Sequence, residues 1–508
     1  MINTNELKGT KIVLVNPSLY PYDLRGETHM PDSMKSEKSI NFGLLVIATV
    51  LVRHGAEVVI FDQEQYEREE SFVKYKEFLN KHTPNAVGIG IVSIYTYINS
   101  TELLKISKEL GLTTFVGGQS VIPFVESLSS ENSNCDIVFM GDGEETVPYT
   151  LKNIFKYNKK EKIEGVVFKG DKIITKPIVV KDLSLSANLE YELYPNWKQF
   201  FPLIEYSRAC PYRCFFCANS QNTNATYREK PNDLVIEEIE RIIRLWGNET
   251  ELPIILQCSN FGFDGEKSAD FLKTVQNKNI RTRFLTALRV DTPWEKFVDY
   301  TEHIFDQVHF GLESASHQQL LSMNKTKNPI KYLSKAEKAF EVFHRKGVHV
   351  GINFIFGYFG ETFQTATETM NFIFNNLENI DSAWGGAFVL YPGSESVELL
   401  HSAEKKYGSS LNILSPFNSQ LKTYPVNASY SFSHNDAIKM SSLLMKIVND
   451  YQKYYEHYRW YIGPDYKRGL KFYSMDDFYK NFFSFSDMEN IGINFGPQYI
   501  NQLDLFKK

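Results

Sequence analysis

Residues 207–220, "SRACPYRCFFCANS", hold three of the chain's five cysteines, Cys210, Cys214 and Cys217. The other two, Cys135 and Cys258, stand alone. Thiols this close bridge one another, bind metal or meet by chance, and chance is a poor account in a chain so sparing with cysteine. Structural zinc closes a tetrahedron with four Cys or His ligands, and the nearest histidines in sequence are His82 and His303. Three thiolates on a four-iron cubane instead leave one iron without a protein ligand, and thiolate ligation suits iron–sulfur clusters. An open iron can chelate a substrate. A cluster built for chemistry, rather than plain electron transfer, requires that corner.

Working outward, "PLIEYSRAC" runs from a strand into the cysteines, and "PNDLVIEEIERIIRLWG" after them repeats its apolar positions at helical spacing. "PIILQCS", "TRFLTALRV", "QVHFGLES", "VHVGINFIFGY" and "WGGAFVLYP" each read as a strand with a helix between neighbours. About six βα units over 201–400 make a partial, open barrel. Upstream, "KIVLVNP", "EVVIFD", "AVGIGIVS", "TTFVGGQ" and "CDIVFMGDGE" alternate with helical stretches. Five such strands imply a Rossmann-like parallel sheet, doubly wound. Sheets of this kind bind ligands at the carboxyl ends of their strands, where "SIYTY" (93–97), "GGQS" (117–120) and "GDGEET" (141–146) fall. The chain, α/β in class, thus divides into a first domain at 1–155, a hairpin and linker at 156–200, the barrel at 201–400 and an aromatic-rich, mostly helical cap at 401–508. "EGVVFKGDKIITKP" is the expected hairpin, turning at Gly170-Asp171.

Composition narrows the partners. A net charge of −6 argues against coating nucleic acid. The longest apolar run, "FGLLVIATVLV", is too short to span a bilayer, and the N-terminus has no apolar signal core. The expectation is a cytoplasmic protein with no membrane partner, in a compartment that keeps its thiols reduced.

The spacing C-x3-C-x2-C, with "SRAC" before it and Phe216 before the last cysteine, resembles the signature of radical SAM enzymes. "HFGLESAS" (309–316), "GINFIFGYFGET" (351–362) and "LYPGSES" (390–396) resemble that family's fourth, fifth and sixth strands. The resemblance implies that Cys210, Cys214 and Cys217 hold a 4Fe-4S cluster whose open iron binds the amino and carboxylate groups of S-adenosylmethionine (SAM). An electron, from a flavodoxin- or ferredoxin-like donor, then cleaves SAM to a 5′-deoxyadenosyl radical. The SAM contacts it implies begin with Phe216 beside the adenine, where packing is the plainer account. Asn260 falls at the ribose, although many relatives carry acidic residues where this chain has Cys258, Ser259 and Asn260. Arg289 reaches a SAM carboxylate or simply pairs with Asp291. Glu313 and Ser314 end strand four, a surface ion pair being the alternative, and Gly357 permits close backbone approach. Cys258 reads as a small buried side chain.

Residues 11–155 resemble the cobalamin-binding domain fused ahead of the barrel in one radical SAM branch. The contacts this implies are Ser93, Tyr95, Thr96, Gly117, Gly118, Gln119, Gly141, Asp142, Gly143 and Glu144. None of the 11 histidines lies in an Asp-x-His-x-x-Gly sequence, so no histidine of that motif holds the cobalt. The resemblance implies a methyltransferase acting on an unactivated carbon of a small-molecule or peptide substrate, in natural-product biosynthesis. Cyclisation or rearrangement, with or without cobalamin, is the alternative, and a non-catalytic corrinoid or redox sensor is a third. The C-terminal aromatics are expected to cap the cavity and choose the substrate.

Overall fold

The computed structural model describes residues 5–19, 40–218, 226–247, 254–413 and 416–462, without the side chains of 416–418 and 449–462. The last part of the expected cap, 463–508, lies outside the described residues.

Short β-branched runs form the first sheet: β1 (Lys11–Asn16), β2 (Glu57–Asp62), β3 (Ala86–Gly90), β4 (Thr113–Gly117) and β5 (Ile137–Phe139). They are parallel in the order β2-β1-β3-β4-β5. The chain reverses direction across the sheet between β1 and β3, which opens a crevice at their carboxyl ends. Helices α1 (Phe42–Arg53), α2 (Arg68–His82), α3 (Tyr97–Glu109), α4 (Val125–Leu128) and α5 (Thr146–Tyr157) cover the two faces.

The expected hairpin at Gly170-Asp171 does not form. β6 (Val166–Phe168) pairs antiparallel with β5 and becomes a sixth strand of the first sheet. The returning segment makes only an isolated bridge, Ile178 to Gly141. The open edge of β5 offered a full row of backbone partners, and a short apolar strand satisfies more of them there than in a free hairpin.

The second sheet is all parallel, ordered β7 (Leu203–Glu205), β10 (Ile254–Gln257), β11 (Phe284–Arg289), β12 (Phe305–Glu313), β13 (His349–Phe356), β14 (Ser382–Ala387). Between β7 and β10 a two-residue ribbon joins β8 (Ser207–Arg208) to β9 (Arg228–Glu229). Six strands with two free edges are the partial barrel foreseen in the sequence. Helices α6 (Asn232–Trp246), α7 (Gly265–Asn277), α8 (His317–Ser322), α9 (Pro329–Arg345) and α10 (Phe363–Phe374) lie outside it. In α6, Val235, Ile236, Ile239, Ile242 and Trp246 are buried on one stripe, each contributing about 1.5–3 kcal/mol.

The remainder is less helical than expected. Alongside α11 (Ser396–Tyr407), α12 (Pro416–Leu421) and α13 (His434–Ile462), an antiparallel sheet forms from β15 (Val389–Leu390), β16 (Ser410–Leu411) and β17 (Tyr424–Asn427). Helix α13 packs on β13 and β14 and buries Ala437, Met440, Leu444 and Val448 in the barrel's core. The same region reaches back to the first domain: Leu421 joins its core, and Lys422 Nζ donates to the Pro123 carbonyl at 2.6 Å.

Candidate functional site

The carboxyl ends of both sheets face one cavity of about 550 Å3. The first domain supplies its floor from Asn41–Leu44, Gly88–Gly90, Gly117–Gln119 and Gly141–Glu144, and the barrel its roof from Glu205, Ser207–Ala209 and Gln257–Ser259. Close approach is built into the backbone. A Cβ on Gly88 would stand 2.3 Å from the Phe115 ring, and Gly118, at φ 115°, would put one 2.5 Å from the Ile91 carbonyl oxygen. Glycine inside a strand marks such an approach. "AVGIG" therefore carried a signal for Gly88 and Gly90 that the sequence reading passed over.

Not every expected corrin contact faces this cavity. Ser93, Tyr95 and Thr96 are not part of its wall. Ser93 caps a short turn, its Oγ accepting from the Tyr95 N–H at 3.3 Å. Thr96 is buried and donates to the Ser93 carbonyl at 2.7 Å. The Tyr95 hydroxyl meets that of Tyr391 at 3.4 Å, joining the first domain to the C-terminal region. Gly117, Gly118, Gln119, Gly141, Asp142, Gly143 and Glu144 do line it, but the two acids are engaged. Arg208 Nη1 lies 2.9 Å from Asp142 Oδ1 and Nη2 lies 2.7 Å from Glu144 Oε1. Arg208 Nε reaches Glu205 Oε1 at 2.7 Å, and Arg228 Nη1 reaches Asp142 Oδ2 at 2.7 Å. Burial alone would raise the Asp142 pKa; Arg208, then Arg228, outweigh it and hold the carboxyl below its usual range. The "GDGE" loop is thereby clamped to the strand that leads into the cysteines.

The cysteine loop is seated by backbone contacts. The Phe215 N–H donates to the Met323 carbonyl at 3.0 Å, Asn324 Nδ2 to the Arg213 carbonyl at 2.6 Å, and Ser396 Oγ to the Phe215 carbonyl at 2.8 Å. Phe215 and Phe216 pack on an apolar cluster that includes Met323, Tyr358 and Phe388. Cys214 is buried, while Cys210 and Cys217 are partly exposed. Among the described residues no three His, Cys, Asp or Glu side chains converge as ligands of a single ion do. A cubane asks for three sulfurs at separate corners and leaves a fourth corner open, and this donor set of three thiols on one supported loop fits it.

The expected SAM contacts are held to different degrees. Asn260 is fully buried; its Oδ1 accepts the Arg289 backbone N–H at 2.8 Å, and its Nδ2 has no partner among the described residues. Arg289 pairs with Asp291 through Nε at 2.8 Å and Nη2 at 3.0 Å, the plainer of the two readings. Glu313, at φ 66°, pairs with Lys325 at 2.9 Å. Ser314 is buried, its Oγ 3.0 Å from Thr369 Oγ1 and accepting the Ser316 N–H at 3.1 Å, so it anchors α10; like the other expected SAM contacts, it is not part of the cavity wall. Gly357 has φ 84° and donates its N–H to Glu361 Oε2. Burial pushes that Glu361 carboxyl up to about 8. Cys258, a wall residue, has its Sγ 3.3 Å from Thr286 Oγ1, and burial pushes its thiol up to about 11. It is a neutral thiol at pH 7. Arg208 carries no mark of a site residue in the sequence, because its partners Asp142 and Glu144 are more than sixty residues away.

Comparison with known proteins agrees with this geometry. Residues 204–373, from β7 through α10, match the family model of the Radical SAM superfamily. An uncharacterised methyltransferase of Pyrococcus horikoshii is 25% identical over 416 residues, 80% of this chain and 86% of that protein. Two solved structures share the fold over most of the chain. One is TsrM of Kitasatospora setae, a radical SAM methyltransferase with cobalamin and a 4Fe-4S cluster bound. It has a TM-score of 0.63 at 15% identity, covering 79% of this chain and 77% of its own. The other is the cobalamin-dependent SAM radical enzyme OxsB, with a TM-score of 0.66 at 16% identity, covering 91% of this chain and 70% of its own. Among the described residues no helix is long and apolar enough to cross a membrane.

Proposed function

We propose that this chain is a cobalamin-dependent radical SAM methyltransferase that methylates an unactivated carbon of a small organic molecule or peptide. The observation that carries the reading is the single cavity bounded by the glycine loops of the first sheet and by the root of the cysteine loop. When bound, the 4Fe-4S cluster supplies the electron that cleaves SAM to a 5′-deoxyadenosyl radical, and the corrinoid supplies a methyl group. Cys210, Cys214 and Cys217 hold the cluster. Phe216, Asn260, Glu313 and the Gly357 backbone would serve as the SAM contacts. Gly88, Gly117, Gly118, Gln119, Gly141 and Gly143 line the cavity that would take the flat ring. The Arg208 clamp keeps the two cofactor surfaces in register. A flavodoxin- or ferredoxin-like protein of the cytoplasm would deliver the electron. A second structure of TsrM, with tryptophan and a SAM analogue, supports a small-molecule substrate for such a fold.

The test is anaerobic incubation of the iron-reconstituted chain with hydroxocobalamin, methyl-labelled SAM and a strong reductant. Expected are 5′-deoxyadenosine, a corrinoid spectrum that survives desalting, and label leaving SAM. No retained corrinoid would reduce the reading to a radical SAM enzyme without cobalamin. No 5′-deoxyadenosine would remove the enzyme altogether.

A further inference from the structure

Arg289, at the carboxyl end of β11, is held more tightly than a ligand-binding arginine needs to be. Its Nη1 donates to Cys214 Sγ at 3.2 Å. Its guanidinium lies over the Tyr212 ring, 3.8 Å from the centroid, inside the first Cys-x3-Cys interval. Nε and Nη2 take both oxygens of Asp291, and Nη2 also donates to the Lys325 carbonyl. Four of the five N–H groups of the planar fork are therefore committed to protein atoms, and the side chain is only 7% exposed. Swinging it toward a substrate carboxylate would break an ion pair, a stacked contact and two hydrogen bonds together.

We infer that Arg289 is a positioning residue of the iron–sulfur cluster, a permanent positive charge hydrogen-bonded to the Cys214 sulfur that raises the cluster's reduction potential. This rests on the reading that the three cysteines hold the cluster. The sign follows from charge. Reduction adds one negative charge to the cluster, so a buried cation favours the reduced form, and an N–H donated to a ligand sulfur acts in the same direction. Asp291 opposes this, because it partly neutralises the guanidinium. The two residues thus form an adjustable pair, with opposite effects on one measurable quantity. Stacking on Tyr212 fixes the distance, since Arg favours aromatic faces and its plane is rigid.

The experiment is a redox titration of the reconstituted full chain without SAM, followed by the electron paramagnetic resonance of the reduced cluster. In Arg289→Gln the ratio of reduced to oxidised cluster at a fixed potential should fall about tenfold, a shift of about 59 mV for a one-electron couple. In Asp291→Asn the ratio should rise severalfold. A residue that only props up the loop would move both variants the same way or neither, and that result overturns the inference. It is equally overturned if Arg289→Gln keeps full iron content and an unchanged midpoint while SAM binding weakens. Should Arg289→Gln fail to hold iron, Asp291→Asn alone decides by the direction of its shift. Wild-type chain that takes up no iron–sulfur chromophore at all is a different result, and defeats the three-cysteine reading itself.

Discussion

Arg208 sits at the meeting point of three carboxylates, Asp142, Glu144 and Glu205, with Arg228 as the second cation. Removing one partner from a buried ionic cluster is costly, because the remaining charges stay desolvated and repel one another. Arg208→Met should therefore destabilise the chain by about 3–5 kcal/mol in urea denaturation. The same site predicts a pH effect. The Asp142 pKa is depressed in the folded chain, so its stabilisation is present above the unfolded value of about 3.9 and is lost as pH falls below it. In Arg208→Met the Asp142 carboxyl should lose that depression, so the acid-side fall in stability should become smaller. Urea midpoints between about pH 3 and 7 that coincide for the two proteins would show the clamp to be energetically idle. "SRAC" advertised its cysteines, but nothing in the sequence announced that its arginine belongs to the "GDGE" loop. The pairing spans dozens of residues, and local pattern carries no information at that range.

At the scale of elements, the strands and helices that set up the site were largely legible, since each is a local matter of periodicity and length. β12 shows why: Val308, Phe310 and Leu312 are buried on one face, while Gln307, His309 and Gly311 face the other way. The failures occurred where an element's partner is chosen by the whole sheet. "VVF" was expected to fold back on "KIITKP" but took the edge of β5. Glycine placement in β3 and the loop after β4 leads to a second prediction. Gly118→Ala forces a side chain into a φ of 115° and against the Ile91 carbonyl. Strain of order 1–3 kcal/mol should displace the loop and lower corrinoid retention severalfold. Iron content of the same preparation should not change. Loss of iron and corrinoid together would mean general misfolding instead of a local effect on the floor of the cavity.

Across the whole molecule, the parallel strands of both sheets point their carboxyl ends at one cavity, and the C-terminal region ties the assembly through Tyr391, Leu421 and Lys422. The cofactor surfaces belong to different domains and share only the cavity. Replacing Cys210, Cys214 and Cys217 together by serine should abolish iron binding, measured by metal analysis. Hydroxocobalamin uptake should stay within about twofold of wild type, because its floor is built from the other sheet. Loss of both would show that the corrin surface depends on the cluster loop. The sequence by itself determined the grouping of three thiols at fixed short spacing, and the order of βα units, through periodicity. Both are properties of neighbours along the chain. Only the tertiary structure decided which arginine clamps the domains, that Tyr95 meets Tyr391, and that Arg289 is pinned on Cys214. Those outcomes depend on which surfaces meet when apolar faces are buried, and burial is settled by the chain as a whole.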